Sequence, residues 1–185
     1  MAVYKTDVLS KENMEELLII LVGVLTRLMP HPANITAVGG LALFSGAKFD
    51  VKKSIILTLT TMLISDAFIG FHSLLWATYG GMLCAVLIGK WIGSSPCISR
   101  LAGGVLSSAI IFFVITNFAV WAATPLYPRT INGLINCYIM ALPFFRNSIT
   151  GDFISAVMFF YAFEFIFAKV QRKTNLRFGS NICQK

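Results

Sequence analysis

Few side chains in this sequence can do chemistry, and they are spaced unevenly. Asp66 stands near the end of an apolar run, in SDAFIGFH at 65–72. A carboxylate there is costly unless it is paired or faces water or a ligand. Two readings follow: it accepts hydrogen bonds from a bound solute, or it ties the next turn down through Ser73 or the Arg146 region. His31, held between Pro30 and Pro32, and His72 are the only histidines. A metal site needs three or four ligands. Both histidines and Asp66 would supply three if they converged, but no ligand spacing brings them together. The simpler reading is that both rings bond to loop backbone. The amides Asn34, Asn117, Asn132, Asn136 and Asn147 either cap backbone or read a polar solute. Trp121 and its aromatic neighbours either line a pocket for a flat ring or anchor an interface. Walker A, Rossmann, HExxH and GxSxG patterns are missing. The expectation is therefore no enzyme, no cofactor and no metal.

The elements that must position these groups belong in a bilayer. Of 185 residues, 57% are apolar and only 12% charged, with a mean hydropathy of +0.78. Such values point to one polytopic membrane domain rather than a soluble fold. The net charge of +7 sits in short loops and tails, where topogenesis and anionic headgroups explain it better than nucleic acid does. With six spans and a cytoplasmic N-terminus, twelve of the fifteen cations fall inside. Only Arg27, Arg129 and Arg146 fall outside, and the positive-inside rule fixes that orientation. The polar motifs PHPAN, SDAFIGFH, TNFAVW, YPRT and PFFRNSITGD then gather at the outer face. The expected place is the bacterial inner membrane, crossed several times.

The expected spans are 14–29, 35–48, 53–70, 74–92, 101–123 and 150–169, with both termini cytoplasmic. Pro30 stops the first, since the residue before a proline avoids the helical region. The second is short for a span of roughly 20 residues. Its small residues Gly39, Gly40, Ala42, Ser45 and Gly46 allow close backbone approach. The apolar stretch 131–145, broken by Pro143, predicts a short or re-entrant helix within a long outer connection. Glu164 either joins a proton relay or snorkels inward ahead of Lys169. The four cysteines, at 84, 97, 137 and 183, have neither disulfide nor zinc spacing.

At RLMPHPANITAVGGLALFSGA (Arg27–Ala47), SDAFIGFH, TNFAVW, YPRTINGL and ALPFFRNSITGD the chain resembles an uncharacterised family of small bacterial membrane proteins, over about 27–152. That family is similar in size and layout to the S-components of energy-coupling-factor (ECF) vitamin transporters, above all the solitary cobalamin-type ones. The resemblance implies an all-α, six-helix membrane bundle that captures a small solute such as a vitamin near the outer face. A coupling subunit and ATPases would be its partners. Helix 1 lacks the small-xxx-small pattern by which S-components dock that subunit, and Ala42-x-x-x-Gly46 is a substitute. Asp66, His72, Asn117, Trp121, Arg146 and Asn147 would then orient the solute, with His31 and Asn34 on a gating loop. The rival reading is a non-transporting membrane scaffold, similar to small cell-shape proteins of the same fold. A polar-aromatic outer cavity of roughly 300–1,000 Å³ separates the binder from the scaffold.

Overall fold

The computed structural model describes residues 2–30, 34–163 and 165, with side chains at 14–30, 34–161 and 165. His31, Glu164 and Cys183 lie outside the described residues. The described chain is all-helical, with no strand among these residues. In order come α1 (Ala2–Leu28), α2 (Val38–Lys48), α3 (Val51–Ile69), α4 (Leu75–Ile92), α5 (Ile98–Ala123) and α6 (Ile131–Val157). A π-helical segment, Met158–Phe163, continues α6. The first helix begins well before the expected residue 14.

α2 is the hub of the bundle. Ten of its eleven residues are buried, which is the state expected of a helix that is apolar all round. It packs against α3, α4 and α6, and its small residues explain how. A Cβ added at Gly46 would land on the Val86 carbonyl of α4, and one at Gly89 of α4 would land on the Leu43 carbonyl of α2. Each glycine admits the other helix's backbone, so the axes come closer than larger side chains allow. Phe44 fills the far side, stacked on Phe159 (5.6 Å between centroids) and edge-on to Phe160 (5.3 Å). Ser54 Oγ donates to the Ser45 carbonyl at 2.6 Å and ties α3 to α2. This packing corrects one expectation: Ala42 and Gly46 are buried within the bundle and offer no surface to a docking subunit.

The second correction concerns the last third of the chain. No short or re-entrant helix occupies 131–145; α6 runs unbroken for 27 residues through Pro143. Thr130 starts it by accepting the Gly133 N–H on its hydroxyl (3.1 Å). Pro143 removes one N–H and leaves the Ile139 carbonyl without its usual donor, yet it lies on the exposed side. The opposite side carries Gly133, Cys137, Ala141, Ser148, Gly151 and Ser155, all buried. Their spacing follows the helical period straight past the proline. Burying that stripe against α5 and α2 outweighs one lost hydrogen bond. The connection from α5 to α6 shrinks to 124–130. Tyr161 Oη then donates to the Pro96 carbonyl at 3.1 Å and fastens the end of this rod to the α4–α5 loop.

Among the described residues, two helices, α4 and α5, are long and apolar enough to cross a membrane. Large apolar side chains also point outward from other helices, among them Leu17 and Leu21 of α1, Ile56 and Leu63 of α3, and Ile139 and Ile154 of α6.

Candidate functional site

Two charged clusters form where α1, α3 and α4 meet and where α2 meets α6. In the first, Arg27 near the end of α1 reaches α3. Its Nη2 lies 2.6 Å from Asp66 Oδ1, and its Nη1 donates to Ser65 Oγ at 2.8 Å and to the Met62 carbonyl at 3.4 Å. The Tyr79 hydroxyl of α4 donates to Asp66 Oδ2 at 2.7 Å. Asp66 is almost wholly buried, and Arg27 is 15% exposed. Both carboxylate oxygens are therefore engaged by protein. A buried pair of this kind repays its desolvation only with good geometry and extra hydrogen bonds, and here the neighbours supply them. The partners are Arg27 and Tyr79 rather than Ser73 or Arg146, which corrects that part of the sequence reading.

The second cluster sits at the start of α2. Asn34 takes a left-handed backbone (φ 65°), a conformation Asn tolerates better than most residues. The chain then turns through Thr36 into α2. The first N–H groups of a helix lack intrahelical partners and carry partial positive charge. Asp152 of α6 answers them: its carboxylate lies against Gly39 and takes the Gly39 N–H. Any Cβ at Gly39 would occupy the carboxylate's place, and one at Gly40 would strike Ser155. The two glycines thus let an acid on one helix cap another.

Between these clusters lies a cavity of about 330 Å³. Its polar lining is Arg27, Asn34, Thr36, Thr78, Ser148 and Asp152, and its apolar lining is Val38, Met62, Ile69, Met82 and Phe112. All six helices and the 34–37 turn contribute, so the cavity exists only in the assembled bundle.

The eight residues singled out from sequence are dispersed. Asn34 lines the cavity, and Asp66 stands behind it through Arg27. His72 is exposed, and its Nδ1 accepts the Leu74 N–H at 3.2 Å. Asn117 donates within α5 to the Phe113 carbonyl (2.8 Å). Trp121 Nε1 donates to the Pro128 carbonyl (3.0 Å), closing the α5–α6 connection. Arg146 is exposed, and among the described residues no acid lies in salt-bridge reach of it. It is two positions from Ser148, which places it about 200° around the helix from that cavity residue. Asn147 is half-buried beside Ser148. His31 lies outside the described residues. Asp66 and His72 have separate partners, and no group of three potential metal ligands occurs among the described residues.

Sequence reasoning passed over Arg27 and Asp152. Arg27 was legible as a cation inside the apolar run LLIILVGVLTRLM, the same signal that drew attention to Asp66. Asp152 was hidden by the reading of Thr150-Gly151-Asp152 as a helix start, where an acid is ordinary.

Residues 9–175 match DUF6580, a family of unknown function, and the chain belongs to that family. No curated protein and no solved structure shows significant similarity to it.

Proposed function

We propose that this protein is a multi-pass membrane protein that binds a small solute in the cavity enclosed by its six helices, in the manner of an uptake component. The observation that carries this reading is the cavity. Its volume of about 330 Å³ lies at the small end of ligand pockets. Its mix of a few convergent polar groups with an apolar wall is what such pockets use for orientation and affinity. The outward apolar side chains of the helices and the distribution of Lys and Arg support a bilayer setting with the cavity towards the outer side. The volume favours a compact solute over a full corrinoid. ATPase partners belong to this reading only by likeness to the S-components, and a coupling subunit would have to dock on a surface other than Ala42 and Gly46.

The scaffold reading draws on a different observation. Asp66, His72, Asn117 and Trp121 are all satisfied by neighbouring protein groups, as in loops built for stability. Thermal denaturation of the detergent-purified protein with a panel of vitamins separates the two. A ligand at 100 times its dissociation constant adds about 2.7 kcal/mol of stability. Stabilisation that is lost in Asn34→Ala or in a cavity-filling Ser148→Leu supports the solute site. A flat response across the panel, with Ser148→Leu raising stability, favours the scaffold.

A further inference from the structure

We propose that the cavity takes an organic ammonium group, with Asp152 as its counter-ion; this rests on reading the cavity as a solute site. The basis is the charge on the cavity wall. Arg27 and Asp152 both line it, but their situations differ. The Arg27 charge is cancelled by Asp66 at 2.6 Å, and its Nη1 is taken up by Ser65 and Met62. Asp152 has no such partner: among the described residues no Lys, Arg or His lies in salt-bridge range of it. What it does receive is one backbone N–H, from Gly39, and the partial charge of a helix N-terminus, roughly half a unit. An ionised carboxylate has about four acceptor positions. One amide leaves most of these free on the wall of a cavity.

With the Arg27 charge matched by Asp66, the lining is net negative whenever Asp152 is ionised. A cation is the complementary ligand, and an anion would meet Asp152 with Arg27 already engaged. A divalent metal ion is the poorer occupant, since it wants six or more oxygen ligands or a ready cluster of them, and the described residues hold no such cluster. An ammonium on an organic body fits better. Its three donors meet Asp152 and the oxygens of Asn34 and Thr36, while Met62, Met82 and Phe112 receive the apolar remainder.

The test uses the purified full-length protein, with thermal shift and calorimetric titration. The probes are butylamine, benzylamine and tyramine, each with its alcohol and carboxylate isostere. At least one amine should raise the melting temperature when its isosteres do not. Asp152→Asn should weaken that amine by about 10- to 100-fold, the value of a charged hydrogen bond. Asn keeps a carbonyl oxygen for the Gly39 N–H, so the unliganded variant should melt no lower than wild type. If the variant does not fold, the wild-type ranking of amine over isosteres still decides. Equal binding of the alcohols or carboxylates, or amine binding untouched by Asp152→Asn, overturns the counter-ion and leaves the solute site standing. Silence from all three series overturns the ammonium inference, while the vitamin panel judges the solute site separately.

Discussion

Removing either member of the Arg27–Asp66 pair should destabilise the bundle far more than removing both. In Arg27→Met, the Asp66 carboxylate stays buried (2% exposed) with only the Tyr79 hydroxyl to answer it. In Asp66→Leu, a guanidinium that is 15% exposed keeps Ser65 and Met62 but loses its counter-charge. Stranding one partner of a buried pair costs about 3–5 kcal/mol. Replacing both with apolar groups of similar size is often neutral or stabilising, offset here by the Tyr79 hydroxyl left without its acceptor, about 1–3 kcal/mol. The double variant should therefore lie within about 3 kcal/mol of wild type, against about 6–10 kcal/mol for the summed singles. Equilibrium unfolding of the four proteins in mixed micelles measures this cycle. Single losses below about 1 kcal/mol would make the pair no better than a surface contact. A double loss equal to the sum within about 0.5 kcal/mol would show that the two residues are not coupled, and either result refutes the reasoning.

Other expectations follow from the packing and from the proposed topology. Gly46→Ala and Gly89→Ala each set a methyl group against a carbonyl of the crossing helix; each should cost about 1–3 kcal/mol by unfolding, whereas Gly103→Ala, with open space around it, should not destabilise. Tyr79→Phe should lose about 1.5–3 kcal/mol, the range for a hydrogen bond to a charged group, and an unchanged protein would mean that the hydroxyl contributes nothing to Asp66. Cys97 is exposed at the start of α5, and the hydroxyl of Ser99 beside it (3.3 Å) lowers the thiol's pKa, which raises the reactive thiolate fraction near neutral pH. In a variant whose sole cysteine is Cys97, an impermeant maleimide should label inverted vesicles and spare intact cells; the reverse pattern would overturn the orientation drawn from Lys and Arg.

Much of the architecture could be read locally. Pro30 follows the end of α1, and Gly70, Gly93 and Thr124 are the C-caps of α3, α4 and α5, so these boundaries sit at single residues that stop or cap a helix. The small residues of α2 announced a close approach, although not that α4 would provide the other half through Gly89. Pro143 misled for a physical reason. A proline removes one hydrogen bond, a local cost, whereas the buried stripe from Gly133 to Ser155 acts over about six turns and rewards continuity. The periodicity was present in the sequence but spoke more quietly than the proline.

The candidate site divides along the same line. That Asp66 could not lie unpaired in apolar surroundings followed from its neighbours in sequence, because the cost of a buried charge depends on little more than its immediate medium. Which cation would meet it did not follow. Arg27 and Asp66 are 39 positions apart, and only the parallel packing of α1 on α3 brings them together. Asp152 and Gly39 are farther apart still, joined when α6 lies along α2. Composition and periodicity determined that the chain forms apolar helices, since burial and hydrogen bonding act on each segment by itself. The identity of each charged group's partner, and the cavity between them, was decided by tertiary structure, because ion pairing and enclosure depend on distances that no local pattern encodes.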